Sequence, residues 1–174
     1  SPHNLAPTTS TTVHMALGDA LAVCLMEARG FTSSDFARFH PGGSLGKQLY
    51  LKVSDIYPRN QCPMVNTDAG IEDIILEMTS KRLGATAVVG KSQALKGIIT
   101  DGDLRRMLKG KNTPESIRAE NIMSPNPMTI EKNRFATQAL VIMQNNNITQ
   151  LIVTEDDKVL GFVHLHDLLK EGII

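Results

Sequence analysis

Apolar positions change their spacing along this chain in an ordered way. From Val13 to Arg29 they recur at helical intervals; Gly30 closes the pattern as a C-terminal stop, and the hydroxyl cluster Thr8 to Thr12 supplies its start. Ile71, Ile74, Ile75 and Met78 then fall at the i, i+3, i+4, i+7 spacing of an amphipathic helix, and Ala136, Ala139, Leu140 and Met143 repeat that spacing about 65 residues later. Short apolar runs follow each helix, Thr86–Val89 with Leu95–Thr100 in one repeat and Leu151–Val153 with Val159–His164 in the other. The turn-rich segments Gly90-Lys91-Ser92 and Glu155-Asp156-Asp157 divide these runs, so each pair reads as two strands joined by a hairpin. A last helix begins at Asp103-Leu104 and again at Asp167-Leu168. Val53-Ser54-Asp55-Ile56 answers to Ala119-Glu120-Asn121-Ile122, and Pro63-Met64 to Pro127-Met128, each opening its repeat. The pattern is an α+β one, strand, helix, strand, strand, helix, stated twice. A unit this small buries too little apolar surface alone, which predicts two stacked sheets sharing a core.

Composition narrows the function classes. Eighteen basic and eighteen acidic residues in 174 leave no basic field and no charged arm, which argues against nucleic acid as a partner. Apolar stretches such as Ala20–Met26 are far shorter than the roughly 20 residues that cross a bilayer, and no targeting pattern opens the chain, so a cytoplasmic protein without a membrane partner is expected. The cysteines make neither a disulfide framework nor a metal cluster: Cys24 is expected as a buried small apolar residue and Cys62 as a loop residue. His164-x-His166 invites a metal reading, but no third ligand is visible nearby; no metal site is expected, and the imidazole either lines a cleft as a phosphate partner or sits at a strand end. Gly42 to Lys47 superficially suggests a phosphate loop, which fails because Pro41 stands where the first glycine is needed and Gln48 replaces the Ser or Thr.

The repeat, with the segment Gly97-Ile98-Ile99-Thr100-Asp101-Gly102-Asp103, resembles the tandem cystathionine β-synthase (CBS) domain module, a regulatory ligand-binding pair. The resemblance implies units over 51–111 and 117–174 with a cleft between them that binds adenosine and other nucleotides. By the family's motif, Gly97 lets the backbone approach the ligand, Thr100 and the amides following it, beginning at Asp101, meet phosphate, and Asp103 accepts from ribose hydroxyls. Thr100-x-x-Asp103 is equally a helix capping box. In the second repeat Gly161 and Asp167 remain, but His164 replaces the usual threonine. Ala87 and Ile152 stand where the family's other motif supplies proline, which weakens adenine recognition in particular.

The first fifty residues carry another signature. Ala6-Pro7-Thr8-Thr9-Ser10-Thr11-Thr12, Leu17-Gly18-Asp19-Ala20-Leu21-Ala22 and His40-Pro41-Gly42-Gly43-Ser44-Leu45-Gly46 resemble the C-terminal end of the sugar isomerase (SIS) domain of arabinose 5-phosphate isomerases, which carry a CBS pair behind it. Residues 1–50 are therefore expected as the remnant of such a domain, its sheet and phosphate loop lying upstream. The complete protein would interconvert D-ribulose 5-phosphate and D-arabinose 5-phosphate, feeding 3-deoxy-D-manno-octulosonate (Kdo) for lipopolysaccharide or capsule, while this piece would be inactive. No cofactor is required. His40 is the candidate catalytic acid or base, the alternative being a residue that caps the short helix before Pro41. Thr8, Thr9 and Ser10 are weaker candidates for contact with substrate or a neighbouring subunit, since capping explains them adequately. The implied effectors are CMP-Kdo, AMP or ATP, and the implied assembly is a dimer or tetramer. Competing readings are a stand-alone nucleotide sensor with an unrelated helical arm, and a related phosphosugar isomerase of other specificity.

Overall fold

The computed structural model describes residues 7–109 and 116–173, and the chain divides into two compact units, 1–46 and 47–174.

The first unit holds α1 (Thr8–Ala28), α2 (Ser33–Phe39) and the first turn of α3 (Ser44–Tyr50). The helix α1 starts earlier than the periodicity predicts. Its N-cap is Pro7, with no side-chain cap, and the hydroxyls expected as caps sit inside the first turns instead. Those of Ser10, Thr11 and Thr12 donate to the carbonyls of Pro7 and Thr8. At the other end Gly30, at φ 59°, adopts the left-handed conformation of a helix stop. Every residue of α1 is exposed, Cys24 included, contrary to its expected burial, because the helix carries apolar side chains around its circumference and, among the described residues, no layer of the first unit covers them. Thr32 caps α2 reciprocally with Asp35, whose carboxyl is held below the usual range chiefly by the Thr32 hydroxyl.

The second unit contains both repeats. The first runs through β1 (Met64–Asn66), α4 (Ile71–Lys81), β2 (Ala85–Val89), β3 (Leu95–Thr100) and α5 (Asp101–Leu108). A linking segment forms α6 (Ala119–Ile122) and β4 (Ser124–Pro125). The second repeat then runs through β5 (Thr129–Glu131), α7 (Ala136–Asn146), β6 (Gln150–Glu155), β7 (Lys158–His164) and α8 (Leu165–Lys170). The sheets are ordered β1-β2-β3-β4 and β5-β6-β7, each with a parallel first pair and an antiparallel hairpin. Asp156 and Asp157, at φ 49° and 60°, make the two-residue turn that suits a twisted hairpin. Both closing helices begin two residues earlier than expected, because Thr100 and His164 are themselves the N-caps.

Alternation along the strands separates three cores. Val88 and Ile99 pack with Ile74 and Met78 under the helices of the first repeat, and Leu151, Val153 and Val163 pack with Ala139, Met143 and Leu168 under those of the second. Between the sheets, Ala85, Ala87 and Val89 meet Ile152, Val159 and Phe162, so the small Ala85 and Ala87 leave room for a large ring from the facing layer.

Each repeat is closed by a segment from the other. Val53 and Ile56 are buried in the second repeat's core, with Val53 N donating to Arg134 O at 2.9 Å and Ala136 N to Leu51 O at 2.8 Å. Reciprocally, Ala119 is buried in the first repeat's core, Ala119 N donates to Ala69 O at 3.0 Å, and β4 pairs with β3. The segments Val53–Ile56 and Ala119–Ile122, which open their repeats in chain order, thus each pack on the opposite one. Glycines admit these segments: a Cβ on Gly97 would lie 2.7 Å from Met123 Sδ and 2.9 Å from Ser124 O, and one on Gly161 would lie 2.7 Å from Tyr57 Cδ2. Gly97→Ala should therefore lower unfolding free energy by about 1–3 kcal/mol through overpacking, despite alanine's better strand propensity. Urea denaturation reads this as a lower midpoint; an unchanged or raised midpoint would show that β4 can retreat without cost.

Candidate functional site

The sequence brings the ends of β3 and β7, and the starts of α5 and α8, to the same side of the stacked sheets. There they border a cleft of about 990 Å³ lined by Thr100, Asp101 and Gly102 from the first repeat and by His164, His166 and Asp167 from the second. Arg82, Leu83 and Gly84 enter from the end of α4, Thr149 and Gln150 from the start of β6, and Lys170 from α8. A second, smaller cavity of about 300 Å³ is lined by Ile98, Pro127, Met128 and Ile148, and it shares Thr100, Thr149 and Gln150 with the first.

Thr100 caps α5 and accepts from Asp103 N at 3.4 Å. Asp103 does not line the cleft. It is 6% exposed, and its carboxylate accepts from Thr100 N at 2.8 Å, Thr100 Oγ1 at 2.6 Å, Ser124 Oγ at 3.0 Å and the Arg106 guanidinium. Burial pushes the Asp103 carboxyl up, but these hydrogen bonds outweigh it and hold the group below the usual carboxylate range. The capping-box alternative thus describes Asp103, whose lone pairs are spent inside the protein. Gly97 likewise faces Met123 and β4, and its missing Cβ makes room for protein, not for a ligand. Of the residues singled out in the first motif, Thr100 and Asp101 are the ones that border the cleft.

The second motif is built in the same way with different chemistry. His164 N donates to Asp167 Oδ2 at 3.0 Å, and the imidazole Nδ1 accepts from His166 N at 3.1 Å, so histidine caps α8 where threonine caps α5. The two rings stack with centroids 5.0 Å apart. Burial pushes His164 below the usual histidine range; the neighbouring His166 and Lys170 act in the same direction, against Asp167. A neutral imidazole is what its acceptor role at Nδ1 requires. Asp167 also accepts from Asn60 Nδ2 at 2.7 Å. Among the described residues, no group of three His, Cys, Asp or Glu side chains could hold a metal ion.

Arg82 and Lys170 were not apparent from motif reading. Arg82 ends α4 in the left-handed conformation, φ 56°, and its place at the cleft follows from that chain reversal. For Lys170 a signal existed: it follows His166 by four residues, one helical turn on the same face of α8. Among the described residues neither cation has an ion-pair partner, unlike Lys47 and Arg59, which both bind Glu171. In the first unit, His40 is exposed at the C-terminal cap of α2, its ring 4.7 Å from that of Phe36, so the capping alternative describes its position. Thr8, Thr9 and Ser10 are exposed on the first turn of α1.

Two β-α-β-β-α repeats with facing sheets, exchanged leading segments and a shared cleft at the capped helix starts form a tandem domain pair. The chain belongs to the CBS domain family, which matches residues 53–110 and 119–173. It is similar to the arabinose 5-phosphate isomerase KdsD of Yersinia pestis, with 44% identity over 99% of this chain and 53% of that protein. The chain thus spans about half the length of the curated relatives it matches. In fold it resembles a CBS domain protein from Pyrobaculum aerophilum complexed with AMP, at a TM-score of 0.61 and 17% identity over 68% of this chain and 90% of that one. It also resembles a CBS domain pair in complex with 5-methylthioadenosine and S-adenosyl-L-methionine, at 0.60 and 22% over 70% and 94%.

The folded pKa of Asp103 lies below the unfolded value of about 3.9, so its ionised contribution to stability is complete above that value and is lost as pH falls through the folded one. Asp103→Asn should therefore destabilise the protein by about 1–3 kcal/mol at pH 7, with a narrower gap from wild type at a pH below the unfolded value of about 3.9. Urea titrations at the two pH values measure it, and an equal gap at both would show that the carboxylate charge contributes nothing.

Proposed function

We propose that this chain is the regulatory part of a D-arabinose 5-phosphate isomerase and that its cleft binds a nucleotide or nucleotide-sugar effector. The observation that carries this reading is the convergence of Thr100, Asp101, His164 and His166 on one cleft with the cations Arg82 and Lys170 at its border. Hydroxyl, imidazole and two cations suit a phosphorylated ligand with further hydrogen-bonding groups, and the cleft volume suits one larger than phosphate alone. The similarity to arabinose 5-phosphate isomerase supports the enzymatic half of the reading. Because it extends over 99% of the chain, it reaches the first unit too, which favours an isomerase remnant there over an unrelated arm.

In the whole protein the reaction removes a proton beside a carbonyl and returns it to the neighbouring carbon through an enediol, which requires a positioned acid and base. His40 is the group proposed for this role, with Thr8, Thr9 and Ser10 as weaker substrate contacts. The protein would act in the cytoplasm, in the route to Kdo. The end product of that route, CMP-Kdo, is a logical effector, because a ligand that prefers one conformational state carries the catalytic domain with it. Self-association as a dimer or tetramer would cover the exposed apolar side chains of α1, such as Met15, Leu17 and Val23.

Calorimetric titration with CMP-Kdo, CMP, AMP and ATP tests the effector. Binding should be saturable for at least one of them and weakened about tenfold to a hundredfold by Lys170→Glu, the loss of a charge-assisted contact of about 1.5–3 kcal/mol. Tight ATP binding without response to CMP-Kdo would make the module an energy sensor, and no binding by any of the four would remove the nucleotide reading. The 174-residue chain alone should not turn over D-ribulose 5-phosphate, since among the described residues its first unit holds helices and turns without a strand to carry a phosphate loop. Turnover above background that disappears in His40→Ala would overturn that expectation.

A further inference from the structure

The helices α5 and α8 start in the same way at the cleft but with different caps, and one of the two caps can take up a proton. Going beyond the reading above and independently of any ligand, we propose that His164 is a proton-sensitive latch on α8: neutral, it holds the first turn of the helix closed, and protonated, it lets that turn open.

The cap works only in one protonation state. His164 ends β7 in extended conformation, and its Nδ1 accepts from His166 N at 3.1 Å. An imidazole accepts only while one ring nitrogen carries no proton, whereas an imidazolium has two N–H donors and no acceptor. Protonation therefore sets a ring N–H against the His166 amide, and that amide, one of the donors a helix start leaves open, loses its partner. The matching cap of α5 has no such dependence. Thr100 donates its hydroxyl to Asp103 and accepts from Asp103 N, through a group that does not titrate near neutral pH. The cleft is thus bordered by one fixed cap and one that follows pH.

The surroundings of His164 oppose its charged form. On α8 the exposed His166 ring stacks on it with centroids 5.0 Å apart, and Lys170 adds a cation to the same helix. Asp167 pulls the other way, but its Oδ2 already accepts from His164 N at 3.0 Å and from Asn60 Nδ2 at 2.7 Å. From the packed elements come the uncharged Gln150, paired with His164 across β6 and β7, and Asn60; Arg82 and Asp101 stand elsewhere on the cleft border. Burial of the ring first, then His166 and Lys170, depress the His164 pKa against Asp167. Because the folded value lies below the unfolded one of about 6.5, the stability the neutral cap supplies is complete above 6.5 and is lost as pH falls through the folded value.

The opening stays local. The helix α8 has six residues, so its first turn is most of its length. Leu168 is buried in the core of the second repeat, and Glu171, just past the helix, holds Lys47 and Arg59, which anchors the far end. His166 borders the cleft from the turn that opens, so proton uptake at His164 changes one wall of the cleft and leaves the α5 wall in place.

Histidine side-chain NMR from about pH 8 to about pH 5, with amide hydrogen exchange corrected for intrinsic rates, tests the latch without added ligand. The His164 transition should have its midpoint below about 6.5, and protection of the His166 and Asp167 amides should fall at least about fivefold across it. The amides of Asp103, in the matching cap, and of Ile173, bonded to Leu168 O, should keep their protection. His164→Thr installs the α5 cap and should abolish the pH dependence at residues 166 and 167. His166 remains in that variant, so an effect of its own ring would persist and overturn the assignment to His164. Protection in the wild type that does not follow the His164 transition, or a His164 midpoint at or above 6.5, would overturn the latch even where the variant fails to fold. With no ligand present, each of these outcomes leaves the nucleotide reading to its own titrations.

Discussion

The reciprocal exchange of leading segments is the constraint on which the rest of this structure depends. The second repeat reaches its full core only when Val53 and Ile56 arrive from the chain ahead of the first, and the first only when Ala119 and β4 arrive from the chain ahead of the second. Neither repeat, cut at its sequence boundary, retains its own apolar complement. Each would also expose backbone groups that the exchanged segment now satisfies, such as Leu51 O and Ala69 O, and unpaired buried groups are costly. The two sheets are thereby held face to face before any contact between them is counted, and Phe162 against Ala85 and Ala87 then fixes their separation.

A cleft at the sheet ends follows from this arrangement. Strands β3 and β7 both finish where a helix begins, and in each case the last strand residue is the helix cap and the residue three further on is the reciprocal acceptor. The same geometry that satisfies the first turn of α5 and of α8 presents Thr100, Asp101, His164 and His166 at the opening. Asp103 acts behind that surface, whereas Asp167 also borders the cleft. Their carboxylates orient the caps, and in Asp103 the buried position and four donors leave no free lone pair directed outward. Helix formation and site formation are therefore one event at these positions, and a change that loosens the cap would also move the groups at the cleft.

Near-equivalence of the repeats gives the site its asymmetry. At matching positions the repeats differ, Phe162 and Ala85 being buried where Ile98 and Gln150 border a cavity of about 300 Å³. Glu171 adds a further link between the cleft-bearing helix end and the chain entering this unit, because it holds both Lys47 and Arg59. That pairing keeps its carboxyl below the usual range, through the hydrogen bonds of Lys47 first and Arg59 second.

The sequence by itself determined the repeat, the order of elements within it, the hairpins and the capped helix starts. These features rest on interactions a few residues long: the 3.6 and 2.0 periodicities, left-handed residues in turns, and a side chain that bonds an amide three positions away. It also carried the likeness to a regulatory pair. Only the tertiary structure decided which repeat each leading segment completes, that Gly97 and Gly161 accommodate Met123 and Tyr57, and that Asp103 faces inward while Arg82 and Lys170 face the cleft. Those outcomes depend on residues far apart in the chain meeting in space, as in the contact of Val53 with the core around Ala136. Periodicity says which side of an element is apolar, but not which distant surface it will meet. Cys24 marks the same boundary: its helical pattern is correct, yet its exposure depends on a covering layer that lies beyond any local signal.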